Sequence, residues 1–454
     1  MKIHFIAIGG SAMHNLALAL LEKGYEITGS DDEIFEPSRS RLQAAGLLPE
    51  AFGWFPEKIH PGLDAVILGM HAKADNPELL KAKELGLKIY SYPEYLYEQS
   101  KNKTRIVIGG SHGKTTITAM VLHAMRFAGL DTDYMVGAKL EGFDVMVRLS
   151  HQAPFVVIEG DEYLTSPIDP RPKFHLYRPH IALISGIAWD HMNVFKTFDD
   201  YKAQFEIFVK LIEPGGKLIY CAADPEVNHI AHQAGGHLQL IPYTGLVHES
   251  NSDGTTWVLY GGQRWPVNIF GSHNMQNLHG AMLVCQQAGI SETTFLQSMA
   301  TFRGAANRLE LVNQRSDSAV YRDFAHAPSK VKATVMALKE KHPQRRLIAC
   351  FELHTYSSLS HEFLPQYRNT LQPADTRIVY YNPHAIELKR LPMLRPDDIK
   401  DAFADPQLKV FDDASQLREY LLSLEGRNAC LLMMSSGNFG NLDLHEIAHH
   451  FTYT

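Results

Sequence analysis

Residues 106–116 read Ile-Val-Ile-Gly-Gly-Ser-His-Gly-Lys-Thr-Thr. The β-branched start predicts a buried strand, and Lys-Thr-Thr after the glycine turn predicts the beginning of a helix. Backbone N–H groups of a glycine turn and the positive end of a helix together bind phosphate. Lys114 can then reach the β- and γ-phosphates of a nucleotide, and the Thr115 hydroxyl can hold Mg²⁺.

This turn departs from the usual Gly-x-x-x-x-Gly-Lys-Thr pattern, because Ile108 occupies the place of the first glycine. The remaining Gly-x-x-Gly-Lys-Thr-Thr pattern still predicts nucleotide binding. The alternative is a strand–helix turn that carries a lysine by chance. The predicted nucleotide-binding residues are Gly110, Ser111, His112, Gly113, Lys114, Thr115 and Thr116. They indicate an ATPase or an ATP-dependent ligase.

Composition limits the classes of protein to consider. The chain has 454 residues and a net charge of -7, which suggests two to four domains and argues against nucleic acid or an anionic membrane as partner. No apolar run approaches the ~20 residues that cross a bilayer. The sequence enters a strand from Met1 without a signal peptide, and the four cysteines show neither metal-ligand spacing nor a disulfide framework. We therefore expect a cytoplasmic protein.

A βαβ unit opens the chain. Residues 3–8 predict a strand, Gly9 and Gly10 a turn, and the next residues a helix to about residue 21, followed by a strand ending near Ser30 and Asp31. An acidic residue about twenty positions after a glycine turn is typical of nucleotide-binding βαβ units. Because the Gly-x-Gly-x-x-Gly pattern is incomplete, NAD, another diphosphate-bearing nucleotide and a βαβ unit without a ligand all stay open.

Alternating strands and helices continue to the C-terminus, which predicts an α/β protein of three domains. A polar stretch at 98–103 marks the first boundary. We expect a Rossmann-like domain at 1–103, a central domain at 104–307 with a P-loop ATPase-type parallel sheet, and a C-terminal Rossmann-like α/β domain at 308–454.

Polar residues follow two further strands of the central domain. Glu159 ends the run Phe-Val-Val-Ile at 155–158, and Asp190 and His191 follow the apolar run at 181–187. Ligands bind at the carboxyl ends of parallel strands, and Mg²⁺ takes few protein carboxylates besides phosphates and water. Glu159 is therefore a candidate Mg²⁺ ligand and His191 a candidate metal or phosphate contact. The alternative for Glu159, Asp161 and Glu162 is that they cap a helix.

Three further groups are candidates by position. Asn274 and Asn277 lie three residues apart on one helix face, where amides suit the edge of adenine, although Asn274 could instead be an N-cap. Arg308 and Asp323 flank the start of the third α/β segment. The final glycine turn, residues 435–440, could bind an anion.

Together these motifs resemble the Mur ligase family, the ATP-dependent amide-forming enzymes of peptidoglycan synthesis. The resemblance covers essentially the whole chain. It rests on Ile-x-Gly-Gly-x-x-Met at 8–13, Gly-Ser-Asp at 29–31, Gly-Ser-His-Gly-Lys-Thr-Thr at 110–116, Glu-x-Asp-Glu at 159–162, Asp-His-Met at 190–192, His-Asn-x-x-Asn at 273–277 and Asp-Phe-Ala-His-x-Pro at 323–328.

The resemblance implies a role for each domain. The first would bind UDP-N-acetylmuramate, the second ATP and Mg²⁺, and the third would bring the amino acid or peptide. Catalysis would involve Lys114, Glu159, His191, Arg308 and Asp323, with Thr115, Glu159 and His191 holding metal. Substrate would be held by Gly9, Gly10, Ser30, Asp31 and His326.

Two groups of the family share the opening motif and the Asp-Phe/Tyr-x-His-x-Pro motif. One adds L-alanine to UDP-N-acetylmuramate, and the other reattaches the recovered tripeptide L-Ala-γ-D-Glu-meso-diaminopimelate. Three stretches here resemble the tripeptide-adding group, namely 36–38, 159–163 with 169–174, and 435–440. We therefore expect the tripeptide ligase, with the L-alanine ligase as the alternative. A nucleotide-dependent regulatory protein with a degenerate site is the alternative outside enzymes, and oligomeric state stays open.

Overall fold

The computed structural model describes residues 1–138, 140, 142–143, 145–250, 255–304 and 308–453. Within them, the main sheets have four, seven and six strands, and helices connect most strands. The predicted three-domain α/β architecture is confirmed. The chain divides into two compact units, which are Met1–Ile187, Lys202–Tyr243 and Leu283–Ser291, and Ala188–Tyr201, Thr244–Met282 and Glu292–Thr454.

The N-terminal sheet is fully parallel and has the strand order β2-β1-β3-β4. Its elements are β1 (Lys2–Ile6), α1 (Ser11–Glu22), β2 (Glu26–Ser30), α2 (Ser38–Ala44), β3 (Ala65–Leu68), α3 (Pro77–Glu84), β4 (Ile89–Ser91) and α4 (Tyr92–Ser100). Every residue of β3 is buried, as expected for a strand of a parallel sheet. The expected strand at 3–8 ends at Ile6, because Ala7 has a φ of 66° and starts the turn.

The polar stretch at 98–103 is not wholly a linker. A capping box between Ser91 and Glu94 begins α4, which continues to Ser100 and so includes half of that stretch. The domain boundaries themselves stay predictions.

The central sheet has the order β13-β12-β11-β5-β8-β6-β7, parallel except for β7. The elements of this region are β5 (Thr104–Gly109), α5 (Lys114–Phe127), β6 (Thr132–Met135), β7 (Val147–Arg148), β8 (Phe155–Glu159), β9 (Leu164–Ser166), β10 (Asp169–Pro172), β11 (Ile181–Ile184), α6 (Phe198–Lys210), β12 (Lys217–Cys221), α7 (Pro225–Gln233) and β13 (Gln239–Tyr243). Because β8 and β11 both pair with β5, their carboxyl ends flank the glycine turn.

An antiparallel sheet and two helices follow, namely β14 (His248–Ser250), β15 (Thr256–Tyr260), β16 (Gln263–Val267), α8 (Ser272–Gln287) and α9 (Glu292–Met299). Asn274 lies inside α8, so the interpretation of this residue as an N-cap is wrong.

The C-terminal sheet has the order β17-β18-β22-β19-β20-β21 and is parallel except for β17. Its elements are β17 (Glu310–Gln314), β18 (Ser318–Asp323), α10 (Pro328–Lys341), β19 (Arg346–Leu353), β20 (Thr376–Tyr381), α11 (Pro383–Leu388), α12 (Pro396–Phe403), β21 (Lys409–Phe411), α13 (Ala414–Leu422), β22 (Ala429–Met434) and α14 (Leu444–Tyr453). Short 3₁₀ helices lie at Pro56–Lys58, Lys173–Leu176 and Leu364–Tyr367. None of the described helices is long and apolar enough to span a bilayer.

Candidate active site

The glycine turn after β5 needs its glycines. Gly110 has a φ of 127° and Gly113 a φ of 78°, in the region that side chains disfavour. A Cβ on Gly110 would lie 2.2 Å from the Ser185 Oγ. The backbone of the turn therefore packs directly on the residue that follows β11.

Hydrogen bonds from the end of β11 fix the turn. The Ser111 N–H donates to the Gly186 carbonyl oxygen over 2.9 Å, and the Ser185 hydroxyl donates to the carbonyl oxygen of His112. These bonds end β11 at Ile184, three residues before the end expected from the apolar run. No role for Ser185 or Gly186 was predicted from the sequence. The feature that could have indicated one is the polar Ser185 near the end of an otherwise apolar run.

Lys114 begins α5 and is held on two sides. Its Nζ donates to the Gly110 carbonyl oxygen over 2.7 Å and lies 2.5 Å from the Glu162 carboxylate. Burial lowers the pKa of Lys114, but the carboxylates of Glu162, Asp161 and Glu159 outweigh it and raise the pKa above its ordinary value. Lys114 therefore carries a positive charge directly after the glycine turn.

Thr115 and Glu159 come together as the sequence predicted. The Thr115 hydroxyl donates to the Glu159 Oε1 over 2.8 Å, and the Gly137 N–H donates to Oε2 over 3.0 Å. Both side chains are buried. One hydroxyl and one carboxylate at a phosphate-binding turn are the hard oxygen donors that Mg²⁺ takes when phosphates and water supply the rest. The Thr115 hydroxyl and the Glu159 carboxylate are therefore chemically suited to bind Mg²⁺.

No helix begins at the acidic residues after β8, because the chain continues from Glu162 into an antiparallel hairpin of β9 and β10. Glu159 and Glu162 contact the first residues of α5, which the helix-capping alternative allows. Asp161 instead pairs with the Lys173 Nζ over 2.6 Å. Burial raises the pKa of Asp161, but the ammonium groups of Lys173 and Lys114 together outweigh burial and lower the pKa overall. This ion pair joins the end of β8 to the residue after β10.

The N-terminal turn brings Gly9 and Asp31 together. The Gly9 N–H donates to the Asp31 Oδ2 over 2.7 Å, and the Asp32 N–H donates to Oδ1 over 3.0 Å. Burial raises the pKa of Asp31 to about 6, against the opposing effect of the Gly9 N–H. Ser30 is fully buried, with the Lys58 Nζ 3.4 Å from its hydroxyl.

Gly10 is the N-cap of α1 and contacts a buried polar group. Its carbonyl oxygen lies 3.0 Å from the His14 Nδ1, and the Arg41 guanidinium donates to the His14 Nε2 over 3.1 Å. Burial lowers the pKa of His14. His14 therefore accepts at Nε2 in the neutral state and links α1 to α2.

His191 belongs to the second compact unit, whereas Lys114, Thr115 and Glu159 belong to the first. His191 has a φ of 55°, and its N–H donates to the Asp190 Oδ1 over 2.8 Å. The other oxygen of Asp190 lies 3.8 Å from the His326 Nε2 and 3.6 Å from the Lys330 Nζ. Neither Lys330 nor its proximity to Asp190 and His326 was predicted from the sequence, because this proximity depends on how distant segments of the chain pack.

His326 is a neutral imidazole. Burial lowers its pKa to about 3, with the Lys330 ammonium adding to this effect and Asp190 opposing it. Its Nδ1 lies 2.9 Å from the Phe324 carbonyl oxygen, which places the ring proton on Nδ1. Nε2 therefore faces Asp190 as an unprotonated nitrogen.

Arg308 and Asp323 both neighbour Phe324. The Arg308 guanidinium lies 4.8 Å from the centroid of the Phe324 ring. Asp323 accepts a 2.5 Å hydrogen bond from the Thr334 hydroxyl, and burial raises its pKa although that bond and the Arg308 charge lower it. Both residues stand at the carboxyl end of β18.

The two asparagines of α8 contact each other. The Asn277 Nδ2 donates to the Asn274 Oδ1 over 3.3 Å, and the Asn274 Nδ2 donates to the Phe270 carbonyl oxygen over 2.9 Å. The Asn274 amide thus orients its neighbour.

The glycine turn at residues 435–440 donates hydrogen bonds to a carboxylate of its own domain. The Ser435 hydroxyl and the Phe439 N–H both donate to the Glu352 Oε2. These two donors are committed to a carboxylate of the same domain, so an added anion would compete with Glu352.

Comparison with known proteins identifies the family. The chain matches three family models, which are the Mur ligase family, catalytic domain at residues 2–104, the Mur ligase middle domain at 108–285, and the Mur ligase, glutamate ligase domain at 307–437. This chain belongs to the Mur ligase family. Members of that family are ATP-dependent ligases that form amide bonds, as the sequence predicted.

Individual Mur ligases are also similar to this chain. The UDP-N-acetylmuramate–L-alanine ligase of Clostridium kluyveri is 32% identical over 384 residues, covering 81% of each chain. A murein peptide ligase structure from Psychrobacter arcticus has a TM-score of 0.65 and 24% identity, covering 100% of this chain and 99% of that one. The UDP-N-acetylmuramate:L-alanyl-γ-D-glutamyl-meso-diaminopimelate ligase from Neisseria meningitides has a TM-score of 0.60 and 28% identity, covering 66% of this chain and 98% of that one.

Proposed function

We propose that this Mur ligase joins UDP-N-acetylmuramate to the tripeptide L-Ala-γ-D-Glu-meso-diaminopimelate and so returns recovered peptide to peptidoglycan synthesis. The ion pair between Asp161 and Lys173 is the structural observation that supports this proposal. It connects the two stretches, 159–163 and 169–174, whose sequences resemble the tripeptide-adding group. The 28% identity with the Neisseria ligase, whose name describes this reaction, supports the same acceptor.

In the proposed reaction the lactyl carboxylate of UDP-N-acetylmuramate takes the γ-phosphoryl group of ATP, and ADP leaves. The α-amine of the tripeptide's L-alanine then attacks the acyl phosphate, releases inorganic phosphate and forms the amide. Lys114 and the backbone N–H groups of the glycine turn hold the phosphates in line for transfer. Such a site accelerates the reaction mainly by positioning and by charge stabilisation.

Thr115 and Glu159 are the residues proposed to hold Mg²⁺, with His191 as a further metal or phosphate contact. When bound, Mg²⁺ neutralises charge on the transferring phosphoryl group. Asn274 and Asn277 are proposed to seat adenine, and Arg308 and Asp323 to act on ATP from the C-terminal domain. Gly9, Gly10, Ser30, Asp31 and His326 are proposed as substrate-binding residues.

The second candidate is the L-alanine ligase activity. The 32% identity with the Clostridium kluyveri enzyme, which carries that name, favours it. The two candidates share every chemical step and differ only in the acceptor amine.

Release of ADP tests both candidates. Purified protein is given ATP, Mg²⁺ and UDP-N-acetylmuramate, with either the tripeptide or L-alanine as acceptor. We expect at least about ten-fold higher kcat/KM for the tripeptide, equivalent to about 1.4 kcal/mol of transition-state discrimination. Preference for free L-alanine would overturn the proposed acceptor.

A Lys114→Ala variant controls for the site in the same assay. Loss of Lys114 leaves the phosphates without their fixed cation, so ADP release should fall to background with either acceptor. Unchanged turnover would reject the assignment of the glycine turn. Absence of acceptor-dependent ADP release in the wild-type protein would favour a regulatory protein with a degenerate site.

A further inference from the structure

A cleft of about 350 Å³ lies in the second unit, where β18 and β22 begin. We call it the amino-edge cleft. Its lining residues are Arg315, Ser316, Asp317, Ser318, Gly426, Arg427, Thr452 and Tyr453. Its volume lies at the lower end of the range for small-molecule sites.

The amino-edge cleft is separate from the proposed reaction centre of its domain. Ser318 is the first residue of β18 and Asp323 is the last. At about 3.3 Å per residue, five steps along a strand separate the two ends by roughly 17 Å. A ligand in the cleft therefore does not touch Asp323.

Ser318 supplies a buried hydroxyl that lacks a partner. The residue is 2% exposed and lines the cleft, yet its Oγ has no hydrogen-bond partner among the described residues. Its backbone carbonyl oxygen is satisfied, because the Arg315 N–H donates to it over 2.8 Å. Buried hydroxyls are nearly always hydrogen-bonded, so this one points to a ligand atom in the cleft.

Two guanidinium groups and one carboxylate also line the amino-edge cleft. The Arg315 guanidinium lies 3.8 Å from the centroid of the Tyr453 ring, and Arg427 is exposed at the rim. Asp317 is the opposing charge, also exposed. The Thr452 hydroxyl is already engaged, donating to the Ala448 carbonyl oxygen and accepting from the Asn313 Nδ2.

We propose that the amino-edge cleft binds a small phosphate monoester. Arg315 and Arg427 would hold the phosphate oxygens, Ser318 would donate to one of them, and the ester group would fill the remaining volume beside Tyr453. Arginine forks match the geometry of phosphate, and a phosphate offers enough acceptor oxygens for all three donors. This site is independent of the acceptor proposed above.

Calorimetric titration with glycerol 3-phosphate and with inorganic phosphate tests the proposal. The reference protein is Lys114→Ala, in which the glycine turn contributes little to phosphate binding. We expect it to bind one glycerol 3-phosphate per chain. An Arg315→Ala/Arg427→Ala change should weaken binding at least about ten-fold, because charge-assisted hydrogen bonds are lost.

Two controls separate binding from folding. Arg264→Ala/Arg368→Ala removes two exposed arginines of the same unit and should leave binding unchanged. Ser318→Ala should weaken binding several-fold without lowering the thermal unfolding midpoint, since the hydroxyl has no described partner in the protein. Absence of binding, equal binding after loss of both cleft arginines, binding of inorganic phosphate alone, or a lower midpoint with unchanged binding for Ser318→Ala would each overturn the proposal.

Discussion

Gly110 gives the phosphate turn its shape through both its backbone angle and its lack of a side chain. Gly110→Ala combines a φ of 127° with a Cβ placed 2.2 Å from the Ser185 Oγ. We expect it to lower the free energy of unfolding by at least about 2 kcal/mol and to weaken ATP binding. Urea unfolding and calorimetric titration with ATP measure the two effects.

Gly129→Ala is the matched control for that change. Gly129 also has a positive φ, of 71°, but an added Cβ meets nothing within 4 Å. Gly129→Ala should lower the free energy of unfolding by about 1 kcal/mol and leave ATP binding unchanged. Equal losses in the two variants would show that the contact with Ser185 is unimportant.

His326 predicts a pH dependence of stability. With a pKa of about 3 in the folded state and about 6.5 when unfolded, the unfolded chain binds more protons between these values. The contribution of His326 is therefore complete above about pH 6.5 and declines on acidification, by about 2 kcal/mol at pH 5. Urea unfolding at pH 7 and pH 5 measures the decline.

A His326→Asn variant isolates this residue. It should lose less stability than the wild type between pH 7 and pH 5, whereas His384→Asn, at an exposed histidine of the same unit, should match the wild type. An identical pH response in the wild type and His326→Asn would contradict the buried neutral state.

The sequence predicted the residues of local motifs and missed those that depend on strand pairing. Lys114 and Thr115 lie in one short run, and Glu159 ends a recognisable strand. The contact of Lys114 with Glu162 and the contact of Ser185 with the turn arise because β8 and β11 both pair with β5. No local spacing encodes those pairings.

At the level of elements, the hairpin of β9 and β10 is the main departure from expectation. Acidic residues after β8 are compatible with a helix start, but Pro170 and Pro172 with the pairing of Asp161 and Lys173 favour a hairpin followed by a 3₁₀ turn. The ion pair orients the segment that carries Glu162 towards Lys114.

Lys173→Met tests this role of the hairpin. Loss of the ammonium group should raise the pKa of Asp161, loosen the segment and lower kcat/KM for ATP about five-fold, the effect of roughly 1 kcal/mol. Lys173→Arg keeps the charge and should retain most of the activity. If the Met and Arg variants both match the wild type, the ion pair does not support the site.

At the level of the whole molecule, alternating βα units were sufficient to predict three α/β domains. The pattern of apolar strands, glycine turns and helix caps is repeated in each domain, and the sheets of four, seven and six strands are each mainly parallel. The acceptor was harder to predict, because residues that recognise a peptide are brought together from distant segments. Distant segments do meet in this fold, since Asp190 lies near His326 and Lys330 although 136 positions separate Asp190 from His326.

Isotope transfer tests whether ATP activates the carboxylate of UDP-N-acetylmuramate. UDP-N-acetylmuramate labelled with ¹⁸O in its lactyl carboxylate is converted with ATP, Mg²⁺ and the tripeptide, and the inorganic phosphate is analysed by mass spectrometry. An acyl phosphate requires one carboxylate oxygen to leave with the phosphate, so we predict one ¹⁸O atom in each phosphate released. Amide product accompanied by unlabelled phosphate would exclude an acyl phosphate formed from this carboxylate.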